Sequence, residues 1–492
     1  MKGLSRSQGI AAATGQANLN GGTVEVVALD PEVSYQNGWS YTILTAQGGV
    51  TGSFADAVTA SIFLNVELEQ QINSVDIVIA VQGDSPTPPA PPAVFTTAAA
   101  TANQFATASA LDTLPQSGGS LGLYNALLFL TSGPEARYAF DQLSGEAYAS
   151  TKGMFIEQSG LIRTAMIDRL RASFGAVAAS SAPVMSYAEL SRPGAGKTGK
   201  AIDQGMALKA VAAPATTETF ALWATGFGAW SEMDGNINAA SLSSSNGGFL
   251  IGADATLGAG WRLGVTGGYS YTAFDVDART SSGDSENWHI GLYGGNQWGP
   301  LGLRTGLAYT WHDVESSRAV GFTGFGDYLA ADYDAGTFQA FGELGYRIDT
   351  AFAVAFEPFA NLAYVSLHTD GFHETGGAAA LAGNSSDTDA TFSTLGLRAS
   401  TQLMLGNAAT TLRGTLGWRH AFGDIVPLAT QSFAGSEAFT VSGTPIAEDA
   451  ALVEAGLDVL IGAATTLGVA YTGQFGDGVT QNGFNATLKM EF

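Results

Sequence analysis

The chain has 492 residues, of which 13% are charged, with 64 glycines, 10% aromatic residues and no cysteine; a disulfide framework, a thiolate metal site and a cysteine nucleophile are therefore excluded. Acidic residues outnumber basic ones by 44 to 20, which would repel a phosphate backbone and argues against nucleic acid as a partner. No apolar run approaches the roughly 18 residues a membrane-spanning helix needs, so a membrane protein of this composition would cross with strands.

Met1-Lys2-Gly3-Leu4-Ser5-Arg6 has neither the apolar stretch nor the small-residue cleavage site of a secretory signal, so on a membrane reading the sequence is expected to be a piece of a longer one. Residues 1–82 hold short β-rich runs at Thr23–Leu29, Trp39–Ala46 and Val75–Val81, broken by Gly and Asn. Pro86, Pro88, Pro89, Pro91 and Pro92 make 83–97 a stiff, extended linker, because proline fixes φ and cannot donate to a ladder. Residues 98–217 turn helical. Ser132-Gly133-Pro134-Glu135 has the form of a capping box, and apolar residues follow at Tyr138, Phe140, Leu143, Ala147 and Tyr148, then at Leu161, Ala165, Ile167, Leu170 and Phe174. Gly145, Gly153 and Gly160 are candidate interruptions. Beyond 175 the Ala/Ser/Gly/Pro-rich composition predicts a flexible connection with one helical stretch at Ala201–Ala213.

From 218 to 492 about twelve segments alternate in polarity between Gly/Asp/Asn/Ser turns. In the last one Phe484, Ala486, Leu488, Met490 and Phe492 share one face and Asn485, Thr487, Lys489 and Glu491 the other. Trp261, Leu263, Val265, Tyr269 and Tyr271 divide in the same way from Arg262, Thr266, Ser270 and Thr272. A soluble sandwich would hide the apolar face; a membrane barrel turns it toward lipid. Segment lengths of about 9–14 residues suit tilted transmembrane strands, and Trp230, Trp288, Trp298, Trp311, Trp418 and Phe492 fall near segment ends as an interfacial girdle requires. The expected fold is all-β: a 12-stranded antiparallel transmembrane β-barrel over 218–492, preceded by a helical linker and a short β-helix-like remnant. Its lumen-facing charges are Arg262, Arg304, Glu343, Arg347, Glu357, Arg398, Arg413, Arg419, Glu454, Asp458, Lys489 and Glu491.

Leu307-Ala308-Tyr309-Thr310-Trp311-His312-Asp313-Val314, Phe341-Gly342-Glu343-Leu344-Gly345-Tyr346-Arg347, Glu357-Pro358-Phe359-Ala360-Asn361-Leu362-Ala363-Tyr364-Val365 and Tyr471-Thr472-Gly473-Gln474-Phe475-Gly476-Asp477 resemble the translocator domain of autotransporters, the type V secretion family. Ala136 to Glu146 resembles the helical region before such barrels, and Gly21-Gly22-Thr23-Val24 with Gly48-Gly49-Val50-Thr51-Gly52-Ser53-Phe54 resembles the last rungs of a β-helical passenger. The resemblance implies a monomeric barrel in the outer membrane, in contact with lipid, that anchors and exports its N-terminal passenger to the cell surface without a cofactor. It also implies insertion by the barrel-assembly machinery, which reads a signal in the last strand; Gln481, Gly483, Ala486, Leu488 and Phe492 match its spacing, with Ala486 smaller than the bulky residue expected. A surface adhesin that binds a host or cell-surface ligand, and an anchor for a hydrolase passenger lying upstream, are the alternatives.

The first strand of such a barrel begins on the periplasmic side, so a segment before it must cross the lumen. Residues 196–217 are the nearest candidate, and the helix at 134–174 is the other, with Arg137, Asp141, Arg163, Asp168, Arg169 and Arg171 as charges available to the lumen. No catalytic, cofactor or metal set is assigned. Gly196-Lys197-Thr198 lacks the earlier glycine and strand of a phosphate loop, and Gly118-Gly119-Ser120-Leu121-Gly122 matches a nucleophile elbow while all five histidines lie in the barrel. Gly83-Asp84-Ser85-Pro86 runs into the proline linker and reads as a spacer. His368, His373 and Glu374 would need added ligands to hold a metal, and read as exposed loop residues.

Overall fold

The computed structural model describes residues 10–27, 35, 37–82, 93–179, 184–185, 220–350, 354–405, 408–462 and 465–490. Eight short strands come first: β1 Ala11–Ala13, β2 Ala17–Asn20, β3 Thr23–Val26, β4 Ser40–Ala46, β5 Val50–Ser53, β6 Asp56–Thr59, β7 Leu64–Gln70 and β8 Ser74–Val81. β1 pairs β4, β2 pairs β5 and β3 pairs β6, all parallel, which makes two rungs of a three-faced coil. The rungs approach too closely for a side chain at one corner. Gly52 has φ +71°, and a Cβ there would overlap the Leu19 carbonyl oxygen of the neighbouring rung. β8 then lies antiparallel between β4 and β7, which ends parallel stacking on that face.

Four helices follow: α1 Ala102–Leu111, α2 Leu121–Leu128, α3 Gly133–Leu143 and α4 Ala147–Ser173. Thr101 caps α1 reciprocally with Gln104, and the Ser132 hydroxyl accepts from the Glu135 amide at the start of α3, where proline occupies the first turn. Of the three candidate glycine breaks only Gly145 interrupts the helix, at φ +62°, and α4 continues through Gly153 and Gly160. Val94 and Phe95, expected in the linker, are fully buried; Phe95 meets Phe63 and Tyr124 edge to face. Their amides donate to the Asp112 carboxylate at 2.9 and 2.8 Å, which fixes the chain where it leaves the proline-rich stretch.

Twelve long strands form the barrel: β9 Phe220–Met233, β10 Leu242–Thr256, β11 Arg262–Val276, β12 Ser281–Trp298, β13 Leu301–Phe322, β14 Phe325–Tyr346, β15 Val354–Thr369, β16 Ser386–Leu405, β17 Ala408–Gly423, β18 Asp449–Gly462, β19 Thr465–Gly476 and β20 Val479–Met490. Each pairs antiparallel with the next, and β9 pairs with β20 from Gly226–Ala486 to Met233–Val479, so the sheet closes on itself. Closure removes the unpaired edges that hydrocarbon could not satisfy. One end carries only short turns, and the other carries the two long connections, 370–385 and 424–448. By the usual asymmetry of such barrels these are the periplasmic and the outer ends, and both β9 and β20 have their free ends on the periplasmic side.

The strands reach 22 residues in β13 and β14, longer than the segments expected from sequence, because they continue past the membrane. Trp288 and Trp298 on β12 both point outward, ten residues apart. At ~3.4 Å per residue and a tilt of ~40°, their separation is ~25 Å along the barrel axis, the height of the lipid-facing band. Between the two rows the outward residues are mostly apolar, among them Leu292, Leu307, Leu362 and Leu416, the last 66% exposed. Just above Trp288 and its partner Trp311 the outward face becomes acidic, with Glu286 beside Asp313 and Asp284 beside Glu315.

The inward face changes at the same level. Below it stand Arg304, Thr310 and His312; above it Val314 and Val320 join Phe274, Val276, Leu329, Tyr333, Val365 and Leu367 in one apolar cluster with α3, the start of α4 and the N-terminal strands. The expectation of a polar interior along every strand therefore needs correction for the outer third. There the wall has water outside, so apolar residues go in; lower down it has lipid outside, so they go out.

Candidate functional site

α4 fills the lumen. Its 27 residues span ~40 Å at 1.5 Å per residue, enough to cross the apolar band. Its N-terminal end lies among the outer loops. Tyr148 donates to the Glu374 carboxylate at 2.8 Å, Lys152 donates to the Ser386 hydroxyl at 2.6 Å and the Leu428 carbonyl at 2.7 Å, and Gly443 abuts the Ser150 backbone so closely that a Cβ there would overlap it. The C-terminal end reaches the periplasmic turns, where Arg347 donates to the Gly175 carbonyl at 3.0 Å.

Between these ends a series of polar contacts holds the helix against the wall. Glu157 makes two 2.8 Å bonds with the Arg419 guanidinium, and Gln474 donates to it at 3.0 Å. Gln158 accepts from Asn246 and Thr272, and Arg163 donates to the Gln339 side chain at 3.1 Å. Lowest, Asp254 accepts from Arg169 at 2.6 and 2.9 Å, from Tyr293 at 2.8 Å and from Arg262, in a site where the Asp254 side chain is wholly buried. Lumen-facing glycines make room for the apolar part of the helix. A Cβ on Gly291 would come within 2.8 Å of the Met166 sulfur. Buried ion pairs of this kind hold position because removing one partner strands the other charge in a dry site.

A second set of charges belongs to the wall alone. Arg304 meets Glu343 at 2.8 Å and Glu357 at 2.9 Å, and Arg398 meets the same two at 2.8 and 3.1 Å, so two cations and two anions alternate around a square. Arg398 also lies over the Phe359 ring, 3.7 Å from its centroid. Arg413 joins Glu454 and Asp458. Arg262, Arg304, Glu343, Glu357, Arg398, Arg413, Arg419, Glu454 and Asp458 thus all line the lumen side: four in the square, three in the Arg413 group, and Arg262 and Arg419 each in a site shared with α4. Arg347 stands apart at the periplasmic turn, paired with Asp349. Lys489, Glu491, Leu488 and Phe492 have side chains outside the described residues, as do Gly83 to Pro86, Gly196 to Thr198 and the whole 196–217 segment. Gln481 and Gly483 share the lumen-facing parity with Asn485, whereas Ala486 faces lipid with Phe484.

Sequence reading passed over Asp254, Glu157, Gln339 and Gln474. Asp254 does fall on the wet parity of β10, but the Ser/Gly-rich run Ser241–Gly248 blurs the alternation that would have marked it. Elsewhere, Glu374 is buried with Arg318 at 2.6 Å, and exposed His368 pairs with Asp387 at 2.6 Å. The Ser120 hydroxyl donates to the Pro115 carbonyl at 2.6 Å.

The outer mouth is closed by α1–α3 and by a small sheet of Phe372–His373, Leu381–Gly383, Leu428–Phe433 and Phe439–Ser442. Asn103 donates its side-chain amide to Glu146, to the Asn238 carbonyl and to the Ser442 carbonyl. Glu146 in turn pairs with Arg279 at 2.9 Å and accepts from the Ala240 amide at 2.7 Å. Burial raises the Glu146 carboxyl above its ordinary range, more than Arg279 and the Ala240 amide lower it.

A family model described as the autotransporter beta-domain matches residues 222–472. Two Serratia marcescens proteins, each named extracellular serine protease, are 33% identical over 533 and 524 residues and cover 99% and 97% of this chain. The chain spans about half the length of these relatives, 47% and 46%. Among solved structures, the translocator domain of autotransporter NalP from Neisseria meningitidis is 15% identical, over 56% of this chain and 88% of that one, at a TM-score of 0.44. The beta domain of the Bordetella autotransporter BrkA is 20% identical, over 56% of this chain and all of that one, at a TM-score of 0.41.

Proposed function

The chain belongs to the autotransporter beta-domain family, and from that footing we propose that α4 is the trace of export: the segment left in the lumen after residues 1–146 have passed outward through the barrel. The barrel is an outer-membrane translocator, with its N-terminal segment carried to the cell surface. One observation supports the reading of α4 most directly. Its N-terminal end joins the outer module while its C-terminal end lies on the periplasmic side, where β9 begins. A chain so connected has to be threaded. Docking of α1–α3 on the apolar outer wall then opposes return, because backsliding would expose that cluster to water.

The test uses intact cells. Added protease should cleave epitopes placed within residues 10–82 while the barrel stays heat-modifiable and undigested. Protection of those epitopes until the outer membrane is opened would overturn the reading.

A second reading concerns the cargo and comes from the relatives' name: the passenger carried by this anchor is a serine hydrolase whose catalytic groups lie outside residues 10–179. The five histidines of the chain are at 289, 312, 368, 373 and 420, all within the barrel domain. A fluorophosphonate probe should leave the 492-residue chain unlabelled; labelling at Ser61 or Ser120 would contradict it. For insertion we assign the barrel-assembly signal to β20, with Gln481, Gly483, Ala486, Leu488 and Phe492.

A further inference from the structure

We infer that the cavity beside α4 binds a small monovalent anion of the chloride type, held by Arg163 of the helix together with Thr394 and Asn361 of the wall. The anion ties the middle of α4 to the barrel. The inference rests on the position of α4 in the lumen and not on how the segment came to be there.

Nine arginines are buried among the described residues. Eight have a carboxylate within 4 Å, and Arg163 has none. Only 9% exposed, Arg163 donates to the Gln339 side-chain oxygen at 3.1 Å; the Gln339 amide nitrogen is turned away to the Ser159 carbonyl, so this contact is with a neutral group. Glu157, six residues earlier on α4, is already taken, accepting two bonds from Arg419 and one from Gln474. Arg419 also brings a like charge close. Its guanidinium and that of Arg163 lie 4.6 and 5.8 Å from the centroid of the same Phe392 ring. A cation so placed, out of bulk water and without a counter-charge, is costly to the fold.

The imbalance extends to the lumen as a whole. Arg318 and Glu374 belong to the outer mouth; the other eight buried guanidinium groups face seven lumen carboxylates among the described residues. The lumen thus carries one cation in excess, in a chain whose overall charge is −24. A single monovalent anion balances it, whereas a dianion would overshoot.

Space is present where the charge is short. A cavity of about 250 Å³ is lined by Arg163, Arg419, Thr394 and Asn361. Glu343, Asp168 and Glu454 line it too, but each is held by an arginine, Arg398, Arg171 and Arg413 respectively. Thr394 on β16 stands opposite Arg419 on one side and Asn361 on the other, so the three form a row across the wall, and Phe392 shares their face two residues along. Neither Thr394 nor Asn361 spends its side chain on a partner among the described residues. A hydroxyl, a primary amide and the remaining guanidinium N–H groups are all donors, which is the set an anion requires. The cation comes from the helix and the neutral donors from the wall, so the site is complete only while α4 is docked. An anion that binds the docked state alone makes detachment rarer by the factor 1 + [anion]/Kd.

Planar-bilayer recordings of the purified 492-residue chain read that factor. With gluconate as the replacing anion at constant ionic strength, raising chloride from about 10 to about 300 mM should lower the opening frequency by up to about tenfold for a Kd of about 30 mM. Arg163→Gln should open at a frequency independent of chloride, Arg163→Lys should retain the response, and Thr394→Val should shift it to several-fold higher chloride. A parent that ignores chloride, or an Arg163→Gln chain that responds as the parent does, would overturn the site. A second measurement does not depend on how the variants close. Crystals of the parent chain grown with bromide in place of chloride should show an anomalous peak in the cavity at hydrogen-bonding distance from Arg163 and Thr394. Bromide at the protein surface alone, an adventitious ion only, would leave Arg163 solvated by water and refute the inference.

Discussion

Asp254→Ala is the sharpest single perturbation of the lumen. The carboxylate accepts from Arg169 on α4 and from Arg262 and Tyr293 on the wall, all in a site closed to solvent. Its removal leaves two guanidinium groups facing one another without their shared anion. Breaking a buried pair in this way costs ~3–5 kcal/mol, and the lower half of α4 loses its only carboxylate anchor on β10. At ~1.4 kcal/mol per tenfold, detachment of that half should become more frequent by roughly 10² or more. Planar-bilayer recordings of the purified 492-residue chain are the assay. The parent should be closed with rare openings, Asp254→Ala should open on the order of 10² times more often, and Asp254→Asn should fall between. Glu343→Gln serves as the control, because it breaks the wall square without touching α4. Equal opening frequencies for Asp254→Ala and the parent, both heat-modifiable, would refute the assignment of this site as the lower anchor. Equal openings for Glu343→Gln and Asp254→Ala would show that wall stability and not docking is being read.

Leu292→Arg places a cation on the lipid-facing band and should cost ~2–4 kcal/mol of barrel stability in urea unfolding from liposomes, with assembly otherwise normal; no loss of stability would contradict the membrane placement. The Glu146 carboxyl is raised in the folded protein, so its ionised form disfavours docking of the cap, and that penalty lifts as pH falls through the raised value toward the ordinary 4.5. Protease resistance of residues 100–146 should therefore gain a component on acidification over that window, and Glu146→Gln should abolish the gain; an identical pH profile in the two chains refutes it. Replacing Leu488 and Phe492 together by Asp should abolish the heat-modifiable barrel in cells, and normal assembly would remove β20 as the insertion signal.

The barrel was legible because its evidence repeats. Strand after strand presents lipid with Leu, Trp, Tyr or Phe on one parity and the lumen with polar or small residues on the other, so weak individual patterns reinforce one another. The outer third was not legible in this way. Val314 and Val320 share the parity of Arg304 and Thr310, and only the position of the girdle tells a reader where water replaces lipid. The segment in the lumen was hidden for a different reason. α4 carries a short apolar stripe, Ile162, Met166 and Leu170, that packs on Trp223, Leu250 and Phe341 as it would in any core, while Glu157, Arg163 and Arg169 meet polar wall groups. Its pattern therefore did not mark it as the lumen helix, and proximity to β9 pointed instead to residues 196–217. Its charges were visible in the sequence, but the partners Asp254, Arg419 and Gln339 are 85, 262 and 176 residues away from theirs along the chain. Spacing rules carry no information over such distances.

That mixed surface has a consequence for how the molecule holds itself closed. An apolar plug in this lumen would meet Arg304, Glu343, Glu357 and Arg398, which are already neutralised among themselves and offer it nothing. A uniformly charged plug would meet opposite charge only in part. α4 instead brings Glu157 to Arg419 and Arg169 to Asp254 at opposite ends of the apolar band, with Met166 and Leu170 seated over Gly291 and Gly295 between and below them. Each ionic contact is satisfied in one axial position of the helix. A slip by one turn, ~5.4 Å, would part Glu157 from Arg419 and leave Arg169 without its carboxylate at once, while Asp254 kept only Arg262 and Tyr293. The lumen can therefore be unselective toward a chain in transit, which has no matched charges to lose, and still be specific for the one segment that stops in it.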